Sequence, residues 1–226
     1  MNKISDEDIQ RKKAKYLKHV EKFTRNGFTW LIVYELIPIT QLRVWDMFAL
    51  FQLAKRIPDK GTYLEIGAKW GGSLRCVLHA AEYMGRRITV SAIEPIPNQK
   101  FKVFCRKRDI PYIKGYSENV YWMIPDASVD MLFIDGPHAY GQVVGDLRDY
   151  WPKVKVPGLV AGHDYEERFP GVVKAVREFL GEDYKVMPHS SIWVKEKNEA
   201  VQRLRASGQA EAHSGLCVPQ PGERAL

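Results

Sequence analysis

Three side chains able to hold a cation close two apolar runs. Val129-Asp-Met-Leu-Phe-Ile-Asp135 reads as a buried strand ending on an aspartate, and Leu159-Val-Ala-Gly-His-Asp164 reads as the next strand, ending on His163-Asp164. In an open α/β sheet the carboxyl ends of neighbouring strands line one crevice. The chain between the two runs is long enough for one returning helix, so Asp135, His163 and Asp164 are expected to converge. Magnesium prefers oxygen ligands, whereas imidazole suits zinc, copper, iron or nickel. Three readings therefore stay open: His163 ligates a softer metal, the two aspartates hold Mg²⁺ without it, or no metal binds and the carboxylates accept hydrogen bonds instead.

A second constellation is the turn in Tyr63-Leu-Glu-Ile-Gly-Ala-Lys-Trp-Gly-Gly-Ser73. A strand delivers Glu65 and then bends through Gly67, Gly71 and Gly72 into a helix. Glycine permits the bend and the close approach of a ligand to the main chain, and free N–H groups at a helix start favour an anionic group. The G-x-G-x-x-G spacing of dinucleotide sites is absent, because Lys69 stands where the second glycine would be. Glu65, ahead of the glycines, suits a cationic ligand, and Glu94, at the end of the next strand, suits the hydroxyls of a ribose. The bland alternatives are a purely structural strand–helix turn and a solvated carboxylate before Pro95.

Ribose, carboxylate and a positive centre together describe S-adenosylmethionine. From Thr62 to Asp164 the chain resembles the class I S-adenosylmethionine-dependent methyltransferases, especially the metal-dependent catechol and caffeoyl-CoA O-methyltransferases. Glu65-Ile-Gly-Ala-Lys-Trp-Gly-Gly-Ser73 is similar to that group's E-[LI]-G-x-x-x-G-x-S, and Gly115-Tyr-Ser-Glu-Asn-Val120 to its G-x-S-x-D-x loop, with Asn119 replacing the acid. The resemblance implies cofactor contacts from Glu65, Gly67, Ala68, Lys69, Gly71, Ser73, Glu94, Pro95, Ser117, Glu118 and Asp135. Within these, Ser73 would meet the methionine carboxylate, Glu94 the ribose, and Ser117 and Glu118 the adenine.

It also implies a metal at Asp135, His163 and Asp164, where the related enzymes carry Asp and then Asp-Asn. Mg²⁺ or another divalent ion would sit there. Three residues past the first aspartate those enzymes often have a lysine base. Here His138 takes that place, and its ordinary pKa near 6.5 leaves a neutral base available at neutral pH. Asp135 and His138 are thus the expected catalytic pair. Pro137 replaces an adenine-packing tryptophan.

The elements that must position these residues follow from hydrophobic periodicity. Strands are expected at Thr62–Ile66, Thr89–Ile93, Tyr112–Lys114, Val129–Ile134 and Leu159–Gly162, alternating with helices at Gly72–Met84, Asn98–Arg108, Asn119–Ile124, Gly141–Val154 and Gly171–Leu180. Such alternation predicts a Rossmann-like, doubly wound α/β sheet, mostly parallel. Tyr184–Met187 and Ser191–Lys195 are joined by too short a link for a parallel crossover, so the end of the sheet should be antiparallel. Ahead of it, helices are expected over Asp6–Phe23 and Gln41–Arg56, with an apolar segment between. The expected organisation is an N-terminal helical cap (1–60), the cofactor-binding domain (61–196) and a flexible polar tail (197–226).

A chain of 226 residues with 45% hydrophobic and 27% charged residues is globular, not fibrous or disordered. Its three cysteines are too scattered for a disulfide framework or a C-x-x-C zinc site, which points to the cytoplasm. The net charge of +7 is spread along the chain, so nucleic-acid binding is permitted but not indicated. Neither a signal peptide nor a membrane span is expected. A homodimer through the apolar residues before Trp45 is one open reading. The expected activity is methylation of a small-molecule hydroxyl. A nicotinamide-dependent oxidoreductase or hydroxylase, or a non-catalytic binding domain on the same sheet, are the alternatives.

Overall fold

Tyr63–Ile66 is buried at every position, as a strand must be when it has neighbours on both edges and packed layers on both faces. The computed structural model, which describes residues 5–198, sets this strand, β1 (Thr62–Ile66), between β2 (Thr89–Ile93) and β4 (Val129–Ile134), parallel to both. β3 (Tyr112–Ile113) extends the sheet beyond β2, and β5 (Val154–Gly162) lies parallel beside β4. β7 (Trp193–Lys197) is antiparallel to β5 and to the edge strand β6 (Lys185–Val186), giving the order β3-β2-β1-β4-β5-β7-β6. The sheet is doubly wound and Rossmann-like, with antiparallel last strands and helices ahead of it.

The period of two along each strand assigns its side chains to two layers. Tyr63, Met131 and Phe133 point to one face, and Leu64, Ile66, Leu132 and Ile134 to the other. On the second face α8 (Tyr140–Tyr150) and α9 (Pro170–Leu180) bury Leu147, Tyr150, Val176 and Leu180. On the first, α5 (Gly72–Tyr83) and α6 (Gln99–Arg108) share a core with the N-terminal helices. These are α1 (Asp6–Lys18), α2 (Val20–Arg25), α3 (Trp30–Leu36) and α4 (Val44–Ala54). One apolar cluster joins Tyr16, Phe23 and Phe51 to Tyr63 and Phe133, so the N-terminal helices form part of the sheet's own cover.

Several boundaries differ from expectation, each for a local reason. The helix expected over Asp6–Phe23 breaks at His19, whose ring packs 4.9 Å from that of Trp45. The break turns Phe23 into an aromatic cluster with Phe28, Trp45 and Phe48. α4 starts at Val44 instead of Gln41, because Asp46 Oδ2 accepts the Arg43 backbone N–H (3.0 Å) and fixes the first turn there. Asn119–Ile124 is replaced by α7 (Ser117–Val120) and a turn of 3₁₀ helix at Tyr121–Met123. β5 begins at Val154, before Pro157; its register against β4 slips between the Val129 and Met131 pairings and absorbs the proline. β7 extends through Lys197, where Lys197 Nζ donates to the carbonyls of Trp151 (2.9 Å) and Val154 (2.7 Å). The remainder of the expected tail, with Cys217, and the side chain of Trp30 lie outside the described residues. Among the described residues no helix is long and apolar enough to cross a membrane.

Candidate functional site

The chain leaves β1 for the β2–β3 edge and returns to place β4 on β1's other side. At such a reversal the loops at the carboxyl ends diverge and leave a crevice. Here it encloses about 640 Å³, with the Gly67–Lys69 turn as floor, Glu94 on one wall, and Asp135, His138, His163 and Asp164 at the far end. The N-terminal segment from Ile39 to Leu42 closes one side, and Arg168 and Phe169 close another.

The glycines of the turn are occupied by the protein itself. Gly67 has φ +89°, and a Cβ there would lie 2.2 Å from the Asp135 carbonyl oxygen. A Cβ on Gly72 would lie 2.5 Å from Thr40 Cβ, and one on Gly71 3.0 Å from the Phe104 ring. These glycines let β4, the N-terminal segment and α6 close on the turn. Gly67, Ala68 and Lys69 still line the crevice, whereas Gly71 does not.

Glu65 also lies elsewhere than expected. It shares the face of Tyr63 and is fully buried beneath the start of α5, off the crevice wall. Tyr63 donates to its Oε2 (2.8 Å) and Ser73 Oγ bonds its Oε1. Burial outweighs those hydrogen bonds and pushes its pKa up to about 8, so at neutral pH the group is an uncharged acid. Ser73, which does line the crevice, is therefore the atom through which Glu65 reaches the site.

Glu94 is the acid that faces the crevice. Its Oε2 accepts the Lys69 N–H (2.6 Å) and its Oε1 the Ile96 N–H (2.9 Å), and each oxygen keeps a further lone pair. Pro95, Ser117 and Glu118 line the same end. The Ser117 carbonyl is anchored by the Tyr150 hydroxyl (2.9 Å).

At the other end Asp135, His163 and Asp164 offer ligand atoms that all lie within 4.8 Å of one another. His163 Nδ1 is 3.3 Å from Asp135 Oδ1 and 3.2 Å from Asp164 Oδ1, while Nε2 faces Asp46 Oδ2 at 3.4 Å. Burial alone would lower the imidazole pKa, but Asp135 first, then Asp164 and Asp46, hold it well above the ordinary value. Asp164 has φ +60°, a left-handed conformation that aspartate tolerates better than most residues. Its Oδ2 lies 2.6 Å from His138 Nε2, and the His138 ring packs 4.1 Å from that of Phe169. The expected groups thus meet, apart from Glu65 and Gly71. Tyr140 and Tyr165 are drawn away from the crevice, to Glu178 (2.5 Å) and Tyr184 (2.5 Å) respectively.

Asp46 is the site neighbour that the sequence pattern hides. It is fully buried, accepts from Arg43 and from the Ser191 N–H (2.8 Å), and contacts His163 across the boundary between the N-terminal helices and the sheet. Burial would raise its pKa, but His163 and Arg43 pull it well below the usual carboxylate range. In sequence Asp46 falls inside the helix expected over Gln41–Arg56, where nothing marks it; the start at Val44 makes it the capping acid at the third position of α4.

Residues 64–165 match a family described as a methyltransferase domain. A curated relative, uncharacterized protein R132 of Acanthamoeba polyphaga mimivirus, is 28% identical over 136 residues, covering 55% of this chain and 61% of that protein. This chain therefore matches less than two thirds of that relative's length. Among solved structures, a Corynebacterium glutamicum protein superposes with TM-score 0.60 at 13% identity, covering 81% of this chain and 96% of that one. CalS11, a TDP-rhamnose 3'-O-methyltransferase of calicheamicin biosynthesis, gives 0.57 at 15% identity, with 85% and 95% covered. A putative caffeoyl-CoA O-methyltransferase from Staphylococcus aureus gives 0.53 at 19% identity, with 84% and 100% covered. At these identities the likeness is one of fold: the chain has a class I S-adenosylmethionine-dependent methyltransferase-like fold.

Proposed function

We propose that this chain transfers a methyl group from S-adenosylmethionine to a hydroxyl oxygen of a small molecule, with a divalent ion held by Asp135, His163 and Asp164. The observation that carries the reading is the continuity of one crevice from Glu94 to the Asp135–His163–Asp164 cluster, with His138 beside it. The residues present suit both groups. Glu94 is locked by two backbone donors and retains acceptor capacity for two ribose hydroxyls. Two carboxylates and a buried imidazole whose Nε2 finds no hydrogen-bond partner among the described residues form a mixed donor set. Such a set favours a softer divalent ion over magnesium.

S-adenosylmethionine supplies an electrophilic sulfonium methyl, and the divalent ion supplies a Lewis acid for the acceptor oxygen. The side chains do the rest. Asp164 accepts the Nε2–H of His138 and so leaves Nδ1 as the basic nitrogen, the orienting role a carboxylate has in a catalytic triad. His138 takes the acceptor's proton as the oxygen–carbon bond forms and the carbon–sulfur bond breaks, releasing S-adenosylhomocysteine. Phe169 holds the imidazole ring in place. With Glu65 neutral, its O–H donates to Ser73 Oγ and leaves the Ser73 hydroxyl proton for the methionine carboxylate.

Isothermal titration with S-adenosylmethionine and S-adenosylhomocysteine tests the reading. Saturable binding of both, lost in E94A, is expected. Stabilisation by NADH with no uptake of either sulfur compound would overturn it in favour of an oxidoreductase.

A further inference from the structure

The ring of His163 has one nitrogen toward the carboxylates of Asp135 and Asp164 and the other, Nε2, toward Asp46. Nε2 is buried and finds no hydrogen-bond partner among the described residues, although Asp46 Oδ2 lies only 3.4 Å away. Its contact with Asp46 is long and poorly aligned. Asp46 itself is not free to move toward it. Its Oδ2 accepts from Arg43 N (3.0 Å) and Nε (2.8 Å), and its Oδ1 accepts from Ser191 N (2.8 Å). Arg43 Nη1 in turn binds Glu166 Oε2 (3.0 Å), so the carboxylate is clamped between α4, β7's leading loop and the loop after Asp164.

Metal-binding imidazoles as a rule donate the N–H of their second nitrogen to a carboxylate, carbonyl or water, which sets the tautomer and the ring plane. We propose that Asp46 is the positioning residue of this site: it accepts Nε2–H of His163 and keeps that proton in place when an ion binds, so that Nδ1 is the ligating nitrogen. The proposal rests on the metal reading given above. It also makes the site depend on α4, which lies outside the 64–165 segment that matches a methyltransferase domain. An asparagine at this position reverses the polarity. With its carbonyl kept for Ser191, its amide takes the place of Oδ2 and offers N–H to Nε2, and the imidazole proton moves to Nδ1, where it blocks an ion.

The test is a titration of the full chain with ZnCl₂ and CdCl₂, free of S-adenosylmethionine, in the wild type, H163A and D46N. Nitrogen-15 histidine spectra and melting curves are recorded alongside. The wild type is expected to bind one ion, with cadmium coupled to Nδ1 and a slowly exchanging Nε2–H. D46N is expected to bind about 10- to 100-fold more weakly, with the His163 proton on Nδ1. Wild-type-like affinity and tautomer in folded D46N would overturn the role of Asp46 and leave the metal site standing. Failure of the wild type itself to bind an ion would remove both. Should D46N not fold, the wild-type spectrum decides: cadmium coupling to Nε2, or a rapidly exchanging Nε2–H, overturns the proposal.

Discussion

Replacing Glu65 by glutamine separates an electrostatic ligand contact from a buried neutral acid. In the folded chain its pKa is raised from 4.5 to about 8 by burial, against the hydrogen bonds from Ser73 and Tyr63. The proton is therefore kept on folding and lost on unfolding at any pH between those values. Below 4.5 both states are protonated and the contribution of this group is fully present; it declines as pH rises and is gone above about 8. Each unit of difference corresponds to about 1.4 kcal/mol, so at pH 7 the cost of keeping Glu65 neutral is on the order of 3 kcal/mol. Glutamine has the shape and the hydrogen-bonding pattern of the protonated acid, with an N–H for Ser73 and a carbonyl for the Tyr63 hydroxyl. E65Q should thus match the wild type near pH 4.5 and exceed it progressively toward pH 8. The gain in melting temperature should be roughly 6–12 °C at neutral pH, from the usual 2–4 °C per kcal/mol for chains of this size. Thermal melts across that pH range measure it, and S-adenosylhomocysteine binding should survive the change. A pH-independent difference, a less stable variant, or abolished ligand binding would show that Glu65 is charged and in direct contact with the ligand.

Four further outcomes are expected. H138Q should lower kcat by about 10²- to 10⁴-fold, the usual contribution of a general base, with S-adenosylmethionine affinity unchanged by calorimetry. E94Q should weaken S-adenosylhomocysteine binding by roughly tenfold or more, because charge-assisted hydrogen bonds to the ribose become neutral ones. G67A should destabilise the chain by more than about 2 kcal/mol in urea melts, since its φ of +89° and a Cβ 2.2 Å from the Asp135 carbonyl oxygen add strain to a clash. Dialysis against chelator should abolish methyl transfer and leave S-adenosylhomocysteine binding intact, which activity and calorimetry report separately.

Much of the sheet is legible in the chain because parallel strands are buried on both faces and read as short continuous apolar runs. β1, β2 and β4 lie where those runs lie; β2 and β4 end just before Glu94 and Asp135, and β1 carries Glu65 as its penultimate residue. Less legible are the places where a polar side chain or a proline sits inside an element. Pro157 hides the first half of β5, and alternating lysines hide the end of β7, where Lys195 and Lys197 are buried by pairing with β5 and by local acceptors.

Residue types and spacing alone determined the strand–helix alternation and the meeting of Asp135 with His163 and Asp164, while His138 entered through the family resemblance. These follow from one rule, that carboxyl ends of adjacent parallel strands open on the same side. Only the tertiary structure decided that Glu65 faces inward while Glu94 faces the crevice, because the direction of a strand side chain depends on which layer its face packs against. It likewise decided that Asp46, an unmarked residue within the helix expected over Gln41–Arg56, stands against His163. The contact joins segments separated by most of the fold, and it exists only because the N-terminal helices bury their aromatic face on the sheet.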